Sequence, residues 1–137
     1  MDAPTPDRLF TAAEANAALP QVRPAVADLR RAIADVRASA PVVEAFAARA
    51  AASGGTQPSA EERAARERFR DAEEAAGSAL DRLHRIGVLV KDADRGLVDF
   101  PSLRDGELVE LCWLDGEPAV AHWHHVGAGF AGRQPLA

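Results

Sequence analysis

A single cysteine, Cys112, in a chain of 137 residues excludes an intramolecular disulfide framework. No apolar run approaches the roughly 20 residues that a bilayer-spanning helix needs, so no membrane partner is expected. The opening Met1-Asp2-Ala3-Pro4 has neither a basic start nor an apolar leader region, and with the lone thiol this reads as a cytoplasmic chain. Clustered basic residues are also missing. A formal net charge of −5 has the wrong sign for counterion release from phosphates, so no nucleic-acid partner is expected. Lysine occurs once against 15 arginines, a coding bias that carries no function.

What is present is periodicity. The length suits one domain, here residues 1–137, divided into a helical part over 11–86 and a β-rich part over 87–137. Thr11-Ala12-Ala13-Glu14 is a capping box, and Leu19, Val22, Val26, Leu29, Ile33 and Val36 then recur three and four apart. Pro20 and Pro24 predict a short first helix ending near Leu19 and a second beginning at Pro20, with Pro24 in its first turn or making a kink. After the loop Ser53-Gly54-Gly55-Thr56-Gln57-Pro58, Ser59-Ala60-Glu61-Glu62 repeats the box. Ala65, Phe69, Ala72, Ala76, Ala79, Leu83 and Ile86 form a second seam, closed by Gly87 as a C-cap. Two such seams predict an antiparallel helical hairpin, whose exposed parts are a candidate homodimer surface.

Beyond Gly87 the period becomes two. Val88–Val90 and Leu97–Phe100 are short strand candidates around the Asp92–Gly96 turn. Leu108–Leu114 and Pro118–His124 flank Asp115-Gly116, a hairpin signal. The fold class expected is therefore α+β, an antiparallel long-helix hairpin packed on a small antiparallel C-terminal sheet.

Several motifs in this stretch resemble one family. Gly87-Val88-Leu89-Val90-Lys91-Asp92, Gly96-Leu97-Val98-Asp99-Phe100-Pro101, Leu111-Cys112-Trp113, Gly116-Glu117, Trp123-His124 and Gly129-Phe130-Ala131-Gly132-Arg133 follow in order. With Phe10-Thr11, Glu14-Ala15-Asn16 and Leu19-Pro20, they are similar to the bacterial domain of unknown function 2203 family. The resemblance spans nearly the whole chain and implies a shared pattern, but it supplies no activity to expect. His122 and His125 fall outside that pattern.

Ionisable residues concentrate here. A two-residue Asp115-Gly116 loop would pair Cys112 with Ala119, Leu111 with Val120, Val109 with His122 and Glu107 with His124. Val109, Leu111, Trp113 and Val120 would then share a face with His122, His124 and Glu107, and a loop one residue longer would bring Glu110 and Cys112 to the histidines instead. His122 and His124, two apart on one strand, are candidate ligands for a transition metal, with Glu107 as a carboxylate donor and His124 as the principal ligand. Asp99, in an apolar strand, needs a partner, for which Lys91 or Arg133 is available. Asp99, Glu117, Lys91 and Arg133 are candidate ligand-binding residues, Arg133 offering a guanidinium to a small anionic ligand. Cys112, in an apolar strand, is expected to be buried rather than nucleophilic. Gly127, Gly129 and Gly132 have dinucleotide-loop spacing but no helix behind them. The two function classes carried forward are a metal- or small-molecule-binding site in the β-rich part and a helical interaction or assembly module.

Overall fold

A computed structural model describes residues 6–55 and 57–137, so the leader reading of Met1–Pro4 and the loop residue Thr56 lie outside the described residues. Two helices, α1 (Ala12–Ala52) and α2 (Ala60–Ile86), pack against each other. They precede five strands: β1 (Leu89–Asp92), β2 (Leu97–Arg104), β3 (Glu107–Leu114), β4 (His122–His125) and β5 (Gln134–Pro135). The sheet order is β1-β2-β3-β4-β5, antiparallel throughout. This is the expected α+β arrangement.

Local chemistry sets the helix ends. Thr11 accepts from Glu14 N–H while Thr11 N–H donates to the Glu14 carboxylate, a complete capping box. At α2 only half the box forms, because Ser59 accepts from Glu62 N–H but the Glu62 carboxylate takes Arg66. Gly87 closes α2 in the left-handed region with φ 104°.

The expected break at Pro20 does not occur, and α1 runs unbroken through Pro20, Pro24 and Pro41. All three prolines lie on the exposed side, where the carbonyls they leave unpaired can bond water. The buried seam on the other side holds the helix continuous.

Val98, Phe100, Val109, Leu111, Trp113 and Trp123 point from the sheet into a core shared with Leu19, Val22, Val26 and Leu29 of α1 and Ala79 and Leu83 of α2. The chain before α1 is stitched to β2: Phe10 N–H donates to Pro101 O, Ser102 Oγ donates to Phe10 O, and the Phe10 and Phe100 rings meet edge-on. No residue of α1 beyond Ala32 is buried, so its last part is an arm packed along α2, with Arg37 paired to Asp94 of the β1–β2 turn at 2.6 Å.

The β3–β4 register differs from the expectation. Leu114 to Glu117 does form a tight turn, with Glu117 N–H donating to Leu114 O. The returning chain does not pair at once, since Pro118 has no N–H to offer a ladder and Val120 is claimed by α1. Asn16 accepts from Val120 N–H at 2.9 Å and donates to Val120 O at 3.1 Å. Pairing resumes only at His122, with Cys112 opposite His122, Glu110 opposite His124 and Val109 opposite His125. The displacement from the two-residue register is three residues, an odd number, so the faces exchange. The two-residue hairpin loop of this sheet is Asp105-Gly106, between Arg104 and Glu107, with φ 52° and 80°.

Candidate functional site

Side chains alternate across a strand, so the positions between the core residues face away from the helices. On that outer side one row runs Asp99, Cys112, His122 and the next Pro101, Glu110, His124. A bulge between Val90 and Asp92 adds Lys91. These are not solvated positions: Asp99 and His124 are each 1% exposed, Glu110 4% and Cys112 0%.

The C-terminal segment contributes the cover. The Phe130 ring lies 5.1 Å from the Arg95 guanidinium, of the β1–β2 turn, and 4.6 Å from that of Arg133, beside β5. Those two arginines come from opposite edges of the sheet, so the segment around Phe130 crosses its outer side. Arg133 then donates to Glu117 Oε1 at 2.5 Å and to Cys112 O at 3.2 Å.

His124 is held at both ring nitrogens. Nδ1 is 2.8 Å from His125 O, and since a carbonyl only accepts, Nδ1 carries the hydrogen. Nε2 is 3.1 Å from Asp99 Oδ2. In the neutral ring that nitrogen is a lone pair facing a carboxylate oxygen, a contact that needs a positive centre between them, either a proton or a metal ion. Ligand atoms of Asp99, Cys112 and His124 all lie within 4.8 Å of one another.

Charge around this group is unevenly matched. Lys91 Nζ pairs with Glu110 Oε2 at 3.1 Å and stands 4.0 Å from Asp99 Oδ2. Arg133 belongs to Glu117. Among the described residues Asp99 has no cation of its own, and its Oδ1 is buried without a hydrogen-bond partner, as are Glu110 Oε1, His122 Nδ1 and Arg133 Nε. Burial pushes the Asp99 carboxyl above its ordinary range, opposed by His124 and reinforced by Glu110. Burial, and then the adjacent Asp99 charge, push the Cys112 thiol up to about 12. Desolvation also acts on Glu117, but hydrogen bonds from Arg133 and Leu114 N–H outweigh it and hold that carboxyl low.

Of the residues singled out in the sequence, Asp99, Lys91 and His124 come together at the three-donor group. Glu117, Arg133 and His122 form a neighbouring cluster, with His122 Nδ1 4.0 Å from Glu117 Oε2. The exchanged register separates Glu107 from His124; Glu107 is exposed and lies 3.3 Å from His125 Nδ1. Arg133 does not partner Asp99. Cys112 and Glu110 take the positions beside the histidines. His124 does not address the Cys112 sulfur as a base, because both of its nitrogens are engaged elsewhere; the group beside the thiol is the Asp99 carboxylate.

A family model described as an uncharacterized conserved protein, DUF2203, matches residues 8–136. No curated protein and no solved structure matches the chain.

Proposed function

The chain belongs to the DUF2203 family, and for this member we propose a divalent transition-metal centre held by Asp99, Cys112 and His124 on the outer side of the sheet. The observation that carries the reading is the convergence of a buried carboxylate, thiol and imidazole within 4.8 Å. A mixed O, S and N donor set suits zinc and its neighbours and not calcium or magnesium, which take oxygen. The His125 carbonyl orients the imidazole as an outer-shell partner does in such centres.

Charge supports the same reading. The Lys91–Glu110 and Arg133–Glu117 pairs are each neutral, which leaves Asp99 and, once deprotonated, Cys112 as two negative charges against one divalent ion. A thiol raised by burial and a neighbouring carboxylate gives up its proton readily only to a metal. His122 and Glu107 are outside the donor set, and three protein donors leave one position for water or a small ligand.

Cobalt(II) titration tests the centre. One equivalent should bind and give a thiolate-to-cobalt charge-transfer band, which Cys112→Ser removes. Protein purified without an affinity tag that contains no transition metal, and that shows no such band with added cobalt, sinks the proposal.

A second reading takes the arm of α1 beyond Ala32 as an assembly surface, on the observation that it continues to Ala52 without a buried residue and leaves Val42 42% exposed. A monomer in sedimentation at all concentrations tested would remove the homodimer form of that reading.

A further inference from the structure

Next to the three-donor group the outer side of the sheet opens into a groove of about 600 Å³, within the range of small-molecule sites. Leu89, Leu108 and Val126, which line it, are 41%, 37% and 55% exposed. Apolar side chains from β1, β3 and the chain just after β4 thus stand together around one concavity, with Pro101 between them.

Lys91 and Glu110 line its inner end. Glu110 is 4% exposed, and Lys91 anchors only one of its oxygens, Oε2, at 3.1 Å. The other, Oε1, is buried with no partner among the described residues. A buried carboxylate oxygen without a donor is a costly arrangement, and one that a donor brought in through the groove would relieve.

We infer that the groove binds a small uncharged molecule with an apolar body and a terminal O–H or N–H that donates to Glu110 Oε1. The charges select against the alternatives. The charged residues of the lining balance, Asp7 and Glu110 against Arg8 and Lys91, and Lys91 already pairs with Glu110, so neither an anion nor a cation is favoured. Glu110 is outside the three-donor group, so the inference does not rest on the metal centre.

Ligand-observed NMR on the full chain with three probes of one body tests it: benzyl alcohol, a donor; acetophenone, an acceptor; and benzoate, an anion. Benzyl alcohol should bind in the millimolar range, perturb the methyl groups of Leu89, Leu108 and Val126, and exceed the other two by about fivefold, the worth of one hydrogen bond. In Glu110→Gln the Lys91 ammonium retains the amide oxygen, which turns the NH₂ toward the groove. The preference should then reverse in favour of acetophenone. Val126→Asp, at the exposed rim, should weaken all three probes without unfolding the chain. Equal or tighter binding of benzoate or acetophenone by the unsubstituted protein, an unchanged order in Glu110→Gln, perturbations mapping elsewhere, or no effect of Val126→Asp overturns the inference.

Discussion

The helical hairpin and the outer side of the sheet treat their polar residues in opposite ways. On the hairpin, charges pair across half-exposed surface, as Arg82 does with Asp28 at 2.6 Å with side chains 43% and 45% exposed. Such pairs are worth little and could be exchanged for others. On the sheet, Asp99, Glu110 and His124 are almost wholly removed from water, although the inner side of the same strands already supplies an apolar core. Burying a second, polar layer costs stability that apolar residues would not. The contrast teaches that the hairpin's polarity keeps a surface wet, whereas the sheet's buried polarity costs stability and so is where the proposed metal centre is to be tested.

The comparison can be broken first at its apolar side. Phe100→Ala should cost about 3–5 kcal/mol in denaturant unfolding, since a fully buried ring in edge contact with Phe10 leaves a cavity between helix and sheet. On the polar side the larger loss should be in binding: Asp99→Asn and His124→Gln should weaken cobalt affinity by more than the roughly 10–100-fold typical of outer-shell changes. Far-ultraviolet circular dichroism should stay at about half helix in both. If either variant binds cobalt like the parent, the donor set is wrong.

Acidity sharpens the contrast further. Because the Cys112 thiol is protonated at neutral pH, metal uptake displaces one proton, and affinity should rise about tenfold per pH unit between pH 7 and 9. Without metal, burial pushes the folded thiol up to about 12 from its ordinary value of 9.0. A folded value above the unfolded one contributes stability that is complete below pH 9 and lost as the pH climbs toward 12. Cys112→Ala should flatten that alkaline decline while costing about 1 kcal/mol at neutral pH. A pH-independent cobalt affinity would show that no thiol proton is released. The smallest effect belongs to the hairpin: Arg82→Ala should change stability by less than about 1 kcal/mol, and a larger loss would mean that the pair with Asp28 is not a solvated one.

The helices were legible because their evidence is local. Thr11, Ser59, Gly87 and the three-and-four seams each act within a turn or two of chain, and the structure follows them. The sequence could not reveal that the exposed prolines would be tolerated, since that depends on which side of α1 the sheet covers. Asp99, Lys91 and His124 stood out as ionisable residues in apolar surroundings, and they do meet. Cys112 and Glu110 were harder to see as their neighbours. Which strand positions face each other across β3 and β4 is decided by Pro118 and by the grip of Asn16 on Val120, a contact between residues 104 apart. Pro118 lies inside the hairpin, but no pattern there encodes the grip of Asn16. Asp105-Gly106, equally legible, was overshadowed by the similar dipeptide ten residues later.

The Asn16 clamp also sets an order of events for the newborn chain. Until the first turns of α1 have docked, only Pro118 opposes early pairing, and the β3–β4 ribbon can sample the two-residue register with its histidines on the opposite side. The clamp thus predicts an order in which helix docking selects the strand pairing and Asp99, Cys112 and His124 meet only afterwards. A folding chain of this protein should therefore acquire its helical signal well before it can take up cobalt, and Asn16→Ala should widen that interval.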